Sequence, residues 1–511
     1  MQALKTRDSW PKVRCNHVHR PVTFAVSAAL AVLVGLPGMA AAAGPGSLDS
    51  SFGSGGVASL GTGSQLFGVA VQSNGEVVAA GQSGGRVLVK RFTTAGKPDK
   101  TFTGPAGYAR AVAIQLDGKI VIAGATGGAM LVERLTSSLS PDSSFGSGGT
   151  ATALAGSSAV ANGVAVGPDG SIVIAGAQPS LSTMSTPVGV ARFSSSGKLE
   201  WSKGLNFGSQ SAATAVAIQP ADGKIVLVGR QTPLQVTNAV VARLNTDGSL
   251  DSSFAGNGAL TYHYPGGGYT ALTSVALQRN GQIVAGGVAL AATSNALFLR
   301  LNSNGSFDTG FGSGGVGALP SGVDVSVLGD PIGAYGVGIA GGGRIVGAGN
   351  FENTGVEVDA ALWALTPGGA AQSGFGNGGT VRGPSGASEE CALAVAPDGS
   401  LVAVGNTVKS FPDRSPCDAK SASAAGFVAR YIGFGQSTSA LKVTLKRVSG
   451  SDKTSTVAKH GLKVRVSCNE ACTIKLSLGV SSGTARRLHI LTTFKKCTKV
   501  RGKKHCVRTR G

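Results

Sequence analysis

The stretch Val69-Ala-Val-Gln-Ser-Asn74-Gly75-Glu-Val-Val-Ala-Ala-Gly81 decides the fold. Two apolar runs flank an Asn-Gly pair, the strongest short-range hairpin signal, and a type I′ turn with positive φ at both central residues is expected there. The runs are apolar at successive positions, as in strands buried on both faces. The phrase returns around Asp117-Gly118, Asp169-Gly170, Asp222-Gly223, Asn280-Gly281, Gly342-Gly343 and Asp398-Gly399. Successive turns lie 43, 52, 53, 58, 62 and 56 residues apart. Self-similarity at such a period is the mark of a repeat architecture.

Each hairpin is followed, after a loop of variable length, by a third apolar run: Val87–Phe92, Met130–Leu135, Gly189–Phe193, Val240–Leu244, Leu297–Leu301, Ala361–Leu365 and Gly426–Tyr431. A polar turn and a Phe-containing corner then lead to a Gly-Gly-x segment that starts a fourth strand. The clearest corner is Asn245-Thr-Asp-Gly-Ser-Leu-Asp251-Ser-Ser-Phe254. Four short strands per unit, set around a ring, solve the edge-strand problem as a β-propeller does. The expected fold is therefore all-β, a propeller of about seven blades. Leu48-Asp-Ser-Ser-Phe52-Gly-Ser-Gly-Gly-Val57 is a fourth-strand phrase with no first three strands before it, and the last unit stops after three. An N-terminal strand is thus expected to complete the final blade.

The phrases Val112-Ala-Ile-Gln-Leu-Asp-Gly-Lys-Ile-Val-Ile-Ala-Gly124 and Asp247-Gly-Ser-Leu-Asp-Ser-Ser-Phe254 resemble the delta-60 repeat family, a group of bacterial β-propellers, over roughly residues 48–435. The resemblance implies a fold and no substrate. Two units depart from it: Pro98-Asp-Lys-Thr-Phe-Thr-Gly104 replaces the corner of the first, and the third carries Leu199-Glu-Trp-Ser-Lys-Gly-Leu-Asn-Phe207. Whether these two units have fourth strands is left open by the pattern.

The net charge of +20 is confined to the two ends. From Leu441 onward, 18 Lys/Arg meet only Asp452 and Glu470, whereas 22 bases and 22 acids balance in the middle. Residues 1–20 are basic, Val22–Leu36 is apolar, and Met39-Ala-Ala-Ala-Ala43 offers a small-x-small site. This order reads as a secretory leader cleaved near Ala43, leaving no membrane span and an extracellular or wall-associated protein. The expected organisation is a leader over 1–43, seven repeats over 44–435, and a linker with a small basic β-rich module over 436–511. Without Cys15, six cysteines remain, an even number that favours disulfides in an exported chain. Cys391 and Cys417 share one repeat; Cys468, Cys472, Cys497 and Cys506 lie in the tail and allow three pairings. Pairing Cys468 with Cys472 and Cys497 with Cys506 would close two local turns, and the spacings fit a zinc knuckle poorly.

Signals for chemistry are weak, and no catalytic, cofactor or metal residue is assigned. The acids and amides of the turns, Asn74, Asp117, Asp169, Asp222, Asn280 and Asp398, are explained with their glycines Gly75, Gly118, Gly170, Gly223, Gly281 and Gly399 by backbone geometry. Asn245, Asp247 and Asp251 loosely resemble a calcium loop without its full ligand series. His263 stands alone between tyrosines, and Glu352, Glu357 and Asp359 form the densest acidic cluster. The loops between second and third strands vary most, and a rigid scaffold with variable loops on one face is where binding usually lives. The tail ends in a run without acids, Lys495, Lys496, Lys499, Arg501, Lys503, Lys504, Arg508 and Arg510, suited to anionic wall polymer but lacking any nucleic-acid reading module. The leading expectation is an exported, non-catalytic binding or scaffold propeller whose partner is a wall polysaccharide or other anionic polymer. A carbohydrate-active hydrolase or lyase and polyanion binding by the tail alone are the alternatives.

Overall fold

The computed structural model describes residues 43–155, 158–179, 185–208, 210–232, 236–290, 294–317, 334–353, 357–384, 388–407, 417, 424–434, 493–500 and 503–510. The expected leader, most of the variable loops, Cys468, Cys472 and Arg501 lie outside them. Residues 43–438 form one compact unit.

That unit is built of antiparallel sheets in chain order. After β1 (Val57–Thr62), the first set is β2 (Ser64–Val71), β3 (Val77–Ser83), β4 (Arg86–Phe92) and β5 (Pro98–Ala106). Next come β6 (Tyr108–Ile114), β7 (Ile120–Thr126), β8 (Ala129–Leu135) and β9 (Thr150–Ala153), then β10 (Val160–Val166), β11 (Ile172–Ala177), β12 (Val188–Phe193) and β13 (Leu199–Leu205). The pattern continues with β14 (Gln210–Ile218), β15 (Ile225–Thr232), β16 (Asn238–Leu244) and β17 (Ala259–Tyr262). β18 (Tyr269–Leu277), β19 (Ile283–Leu290) and β20 (Ser294–Leu301) follow, and among the described residues bridges from Leu299 to Val316 and from Leu301 to Phe307 stand in place of a fourth strand. Then come β21 (Ala334–Ala340), β22 (Arg344–Asn353), β23 (Glu357–Leu365) and β24 (Thr380–Arg382), and last β25 (Ser388–Val395), β26 (Leu401–Thr407) and β27 (Ala425–Tyr431). β1 lies antiparallel to β27, with Val57 opposite Ala429. A single parallel bridge, Ser64 to Ala425, links this last sheet to the first. Both units with doubtful corners have their fourth strands, β5 and β13. Among the described residues, no helix is long and apolar enough to cross a membrane.

The innermost strands β2, β6, β10, β14, β18, β21 and β25 each pack on the next, and β25 packs back on β2. The second strands are buried along almost their whole length because sheets cover them on both faces. Side chains from neighbouring sheets form shared cores, as where Val226, Val228, Val241 and Phe254 meet Leu272, Ile283, Leu297 and Leu299.

The expected positive φ at both central residues holds at Gly342-Gly343 (+75° and +76°) but is corrected by the structure at the Asx-Gly turns. Gln72 N–H donates to Glu76 O and Gly75 N–H to Gln72 O, so Ser73-Asn74-Gly75 is a three-residue loop. Only the glycine has positive φ (+86° at Gly75, +83° at Gly118), as in a type I turn followed by a left-handed residue. The Asx side chain has a different job from the one expected: Asn74 Oδ1 accepts from Glu76 N–H at 3.0 Å, and Asp117, Asp169, Asp222, Asn280 and Asp398 do the same two residues on.

The corner phrase is a rivet between sheets. Arg243 pairs through Nε with Asp251 Oδ2 at 2.6 Å, lies 4.8 Å over the Phe254 ring, and donates through Nη1 to Ser303 O of the next sheet. Arg134 with Asp142 and Phe145 reaches Ser195 O, Arg300 with Asp308 and Phe311 reaches Pro367 O, and Arg430 with Asp49 and Phe52 reaches Thr94 O. In the third unit Trp201 Nε1 takes over, donating to Thr246 O at 3.0 Å. The residue after the corner Phe turns back with positive φ so that its N–H meets the next sheet, as Gly146 does to Ser196 O and Ala255 to Asn304 O. At Ala255, φ is +49° in a position held elsewhere by Gly53, Gly146, Gly312 and Gly376. Left-handed backbone strains a residue bearing Cβ, so Ala255→Gly should stabilise the protein by about 0.5–1 kcal/mol. A higher urea midpoint at unchanged m-value is the expected reading; a lower midpoint would show that the strain is already relieved.

Candidate functional site

Every innermost strand slips register against its second strand at the same step. The shifts fall between Leu66 and Gly68, Ala109 and Ala111, Ala161 and Gly163, Ala213 and Ala215, Leu272 and Ser274, Ala334 and Gly336, and Glu390 and Ala392. The bulged residues are Phe67, Arg110, Asn162, Thr214, Thr273, Tyr335 and Cys391. A bulge inserts one unpaired residue and re-aims its side chain. Each is followed by a small residue because the next inner strand comes close: a Cβ at Gly163 would lie 2.9 Å from Ala215 Cα, and one at Gly336 would lie 2.5 Å from Leu393 N. The bulges fall between the start and the middle of these strands and the Asx-Gly turns at their ends, so the predicted turn residues are not part of this ring.

The ring divides into two sectors. In one, each side chain stitches its strand to the carbonyl just before the next bulge. Asn162 Nδ2 donates to Ala213 O at 2.8 Å, Thr214 Oγ1 to Leu272 O at 2.6 Å, and Thr273 Oγ1 to Ala334 O. The other sector, from Tyr335 through Cys391 and Phe67 to Arg110, is built differently. The Arg110 guanidinium lies 4.9 Å over Phe67 and 5.4 Å from the Tyr108 ring, and its Nη1 donates to Cys417 O at 2.7 Å. A cation held over two rings has had some of its charge met by their π faces.

A disulfide joins Cys391 to Cys417, with S–S 1.99 Å. It brings one point of the long segment between β26 and β27 to the inner strand. Around it, Cys417 N–H donates to Glu389 Oε2 at 3.3 Å, Asn350 Nδ2 donates to Glu389 Oε1, and Asn406 bonds both N–H and C=O of Leu66. Glu389 and Glu390 are adjacent in β25 and therefore serve opposite faces. Both are 0% exposed. Glu390 accepts from Tyr431 Oη, but burial outweighs that hydrogen bond and raises its pKa well above the usual carboxylate range.

The other sequence-derived candidates are dispersed. Asp251 belongs to a rivet, Asp247 caps the amide of Ser249 at 2.9 Å, and Asn245 Nδ2 donates to Ser249 Oγ. They form no cation cage, and no cluster of three His, Cys, Asp or Glu able to hold a metal occurs among the described residues. His263 is exposed, its Nδ1 3.0 Å from Asn238 Oδ1. Asp359 is nearly buried, 3.5 Å from Arg382, and the side chains of Glu352 and Glu357 lie outside the described set. The bulge ring escaped the sequence reading. Its signal is present: a variable residue followed by Gly, Ala or Ser stands seven positions before the turn Asx in most copies.

Antiparallel sheets packed inner strand against inner strand in a closed circuit define this protein as a β-propeller. Residues 115–145, 221–254 and 278–311 match a family described as "Domain of unknown function (DUF5122) beta-propeller". The latter segments end on Phe254 and Phe311 and the first on Phe145, so each runs from a hairpin to its rivet ring. No curated protein matches the sequence. Among solved structures, the chain is similar to virginiamycin B lyase from Staphylococcus aureus at 10% identity, with TM-score 0.45, over 73% of this chain and 98% of that one. It is similar to the WD40 propeller domain of Doa1 at 10% identity, with TM-score 0.43, over 73% and 95%. It is also similar to the RRP9 WD40 repeats at 12% identity, with TM-score 0.46, over 76% and 100%. No activity is transferred from any of them.

Proposed function

We propose that this chain is an exported, non-catalytic binding propeller of seven blades, of the delta-60 kind, whose ligand meets the sector containing Phe67, Tyr108, Arg110 and Tyr335. The observation that carries this reading is the asymmetry of the bulge ring. Asn162, Thr214 and Thr273 join neighbouring strands, whereas the sector opposite gathers a cation, aromatic rings and a disulfide-tethered backbone. A cation grouped with aromatic rings is the kind of mixed polar and apolar set that orients a ligand. On this reading residues 1–43 are a leader removed on export, β1 completes the seventh blade, and residues 436–511 are an appended basic β module.

A glycosidase would need two carboxyl groups able to reach a sugar. Glu389 and Glu390 are sealed from solvent and each is engaged by a neighbour, so neither is offered as such a carboxyl. A polysaccharide of the cell wall is the ligand class that fits an exported propeller with a cation among rings. The test is binding of the full mature chain to purified wall polysaccharide fractions across a salt series. Arg110→Gln should weaken binding at least tenfold, while Thr214→Val, which removes a stitch in the other sector, should leave it unchanged. Equal losses in both variants would make the effect one of stability and overturn the assignment; release of soluble sugar would replace it with the enzymatic alternative.

A further inference from the structure

The described part of the tail is one hairpin, β28 (Thr493–Val500) paired antiparallel with β29 (Lys503–Arg510). Its register sorts the basic run into two unequal faces. Cys497 stands opposite Cys506, Lys495 opposite Arg508, Lys499 opposite Lys504, and Thr493 opposite Arg510. Directly opposed residues share a face, as do residues two apart on one strand. Lys495, Lys499, Lys504, Arg508 and Arg510 therefore lie on the face of the cysteine pair. The other face carries Phe494, Val500 and Val507 with Lys496, Lys503 and His505, and no cation there stands opposite another.

Like charges directly opposed across a hairpin destabilise it, and a two-stranded hairpin is marginal to begin with. Here two such pairs flank the cysteines on a single face. An anion shared between the members of each pair converts the repulsion into attraction. We propose that this face binds a linear, base-free phosphodiester polymer, a polyol or sugar phosphate chain. The two opposed cation pairs stand four residues apart, about 13.6 Å at the rise of an antiparallel strand, with the cysteine pair between them and opposed members about 5 Å apart. A diester phosphate keeps its charge at every working pH and has two free oxygens to offer to two cations, and both Lys and Arg are phosphate binders. Nucleic acid is disfavoured because Phe494, the hairpin's one aromatic, belongs to the opposite face, leaving no stacking platform among the cations. The inference is independent of the ligand assigned to the propeller.

The test compares two double variants of the full chain that remove equal charge: Lys499→Gln with Lys504→Gln, and Lys496→Gln with Lys503→Gln. With poly(glycerol phosphate) as probe, the first should weaken binding at least tenfold and flatten the salt dependence by about one to two logarithmic units per decade of salt. The second should change affinity less than threefold. Circular dichroism of both variants checks that the fold is retained. Equal losses in the two variants would reduce the effect to net charge and overturn the proposal. Tighter binding of oligo-dT or polygalacturonate than of poly(glycerol phosphate) would overturn the choice of polymer.

Discussion

Replacing Asp251 with alanine should destabilise the propeller by about 3–5 kcal/mol, the usual result of removing one partner from a buried ion pair. Arg243 would remain 6% exposed with its Nη1 still committed to Ser303 O of the next sheet, and so could not swing into solvent without breaking the junction. Lys224, 2.8 Å from the same carboxylate, would lose its partner as well. Burial alone would disfavour the charged form of Asp251, but hydrogen bonds from Lys224, Ser253 and Arg243 outweigh it and hold the carboxyl far below the ordinary range. The sign of the pH dependence follows. A depressed carboxyl contributes stability above its unfolded value near 4, and that contribution is lost as the pH falls below it. Urea unfolding of wild type and variant should therefore differ most at neutral pH and converge below pH 4. A neutral-pH difference under 1 kcal/mol would show that the rivet is dispensable.

Glu133→Leu should act in the opposite direction, stabilising the protein at pH 8 by about 2–3 kcal/mol. Glu133 is 3% exposed, its Oε2 has no hydrogen-bond partner, and burial pushes its pKa up to about 7. The equivalent position in another unit is Leu299, fully buried in a shared core. A raised carboxyl contributes stability that is whole below its unfolded value and is lost as the pH climbs to the folded one. Thermal midpoints of wild type and variant should thus lie close at pH 4.5, separate up to about pH 7, and stay parallel above it. A gap that is constant across that range would mean that Glu133 is ionised throughout and has found a counter-charge.

These two residues also show what sequence reasoning can reach. The hairpins and third strands were legible because paired apolar runs around an Asx-Gly leave few alternatives. The rivet was legible in principle: Arg134 and Asp142, Arg243 and Asp251, and Arg300 and Asp308 each stand eight positions apart. In the sixth unit Ala364 and Gln372 occupy both places, as though the pair were lost together. Turn type was misjudged because one Asx-Gly pair suits two loops. The choice between them depends on whether the Asx side chain captures the amide two residues on. The fourth strands of the first and third units were obscured by unusual composition; Pro98 and Trp201 still enter strands because each edge has a partner on one side only. The candidate site was least visible, since a bulge depends on where the neighbouring sheet approaches and no single unit encodes that distance.

The pairing of β1 with β27 has a consequence in time. Val57 must wait for Ala429, and Leu66 for Asn406, 340 positions away. Contacts so remote in sequence are slow to form, because loop closure opposes them until the intervening chain has ordered. Until β27 is in place, β1 has its edge unanswered, open to any passing strand. The step that completes the circle is therefore the one at which a chaperone, or a second nascent copy, has the longest opportunity to intervene.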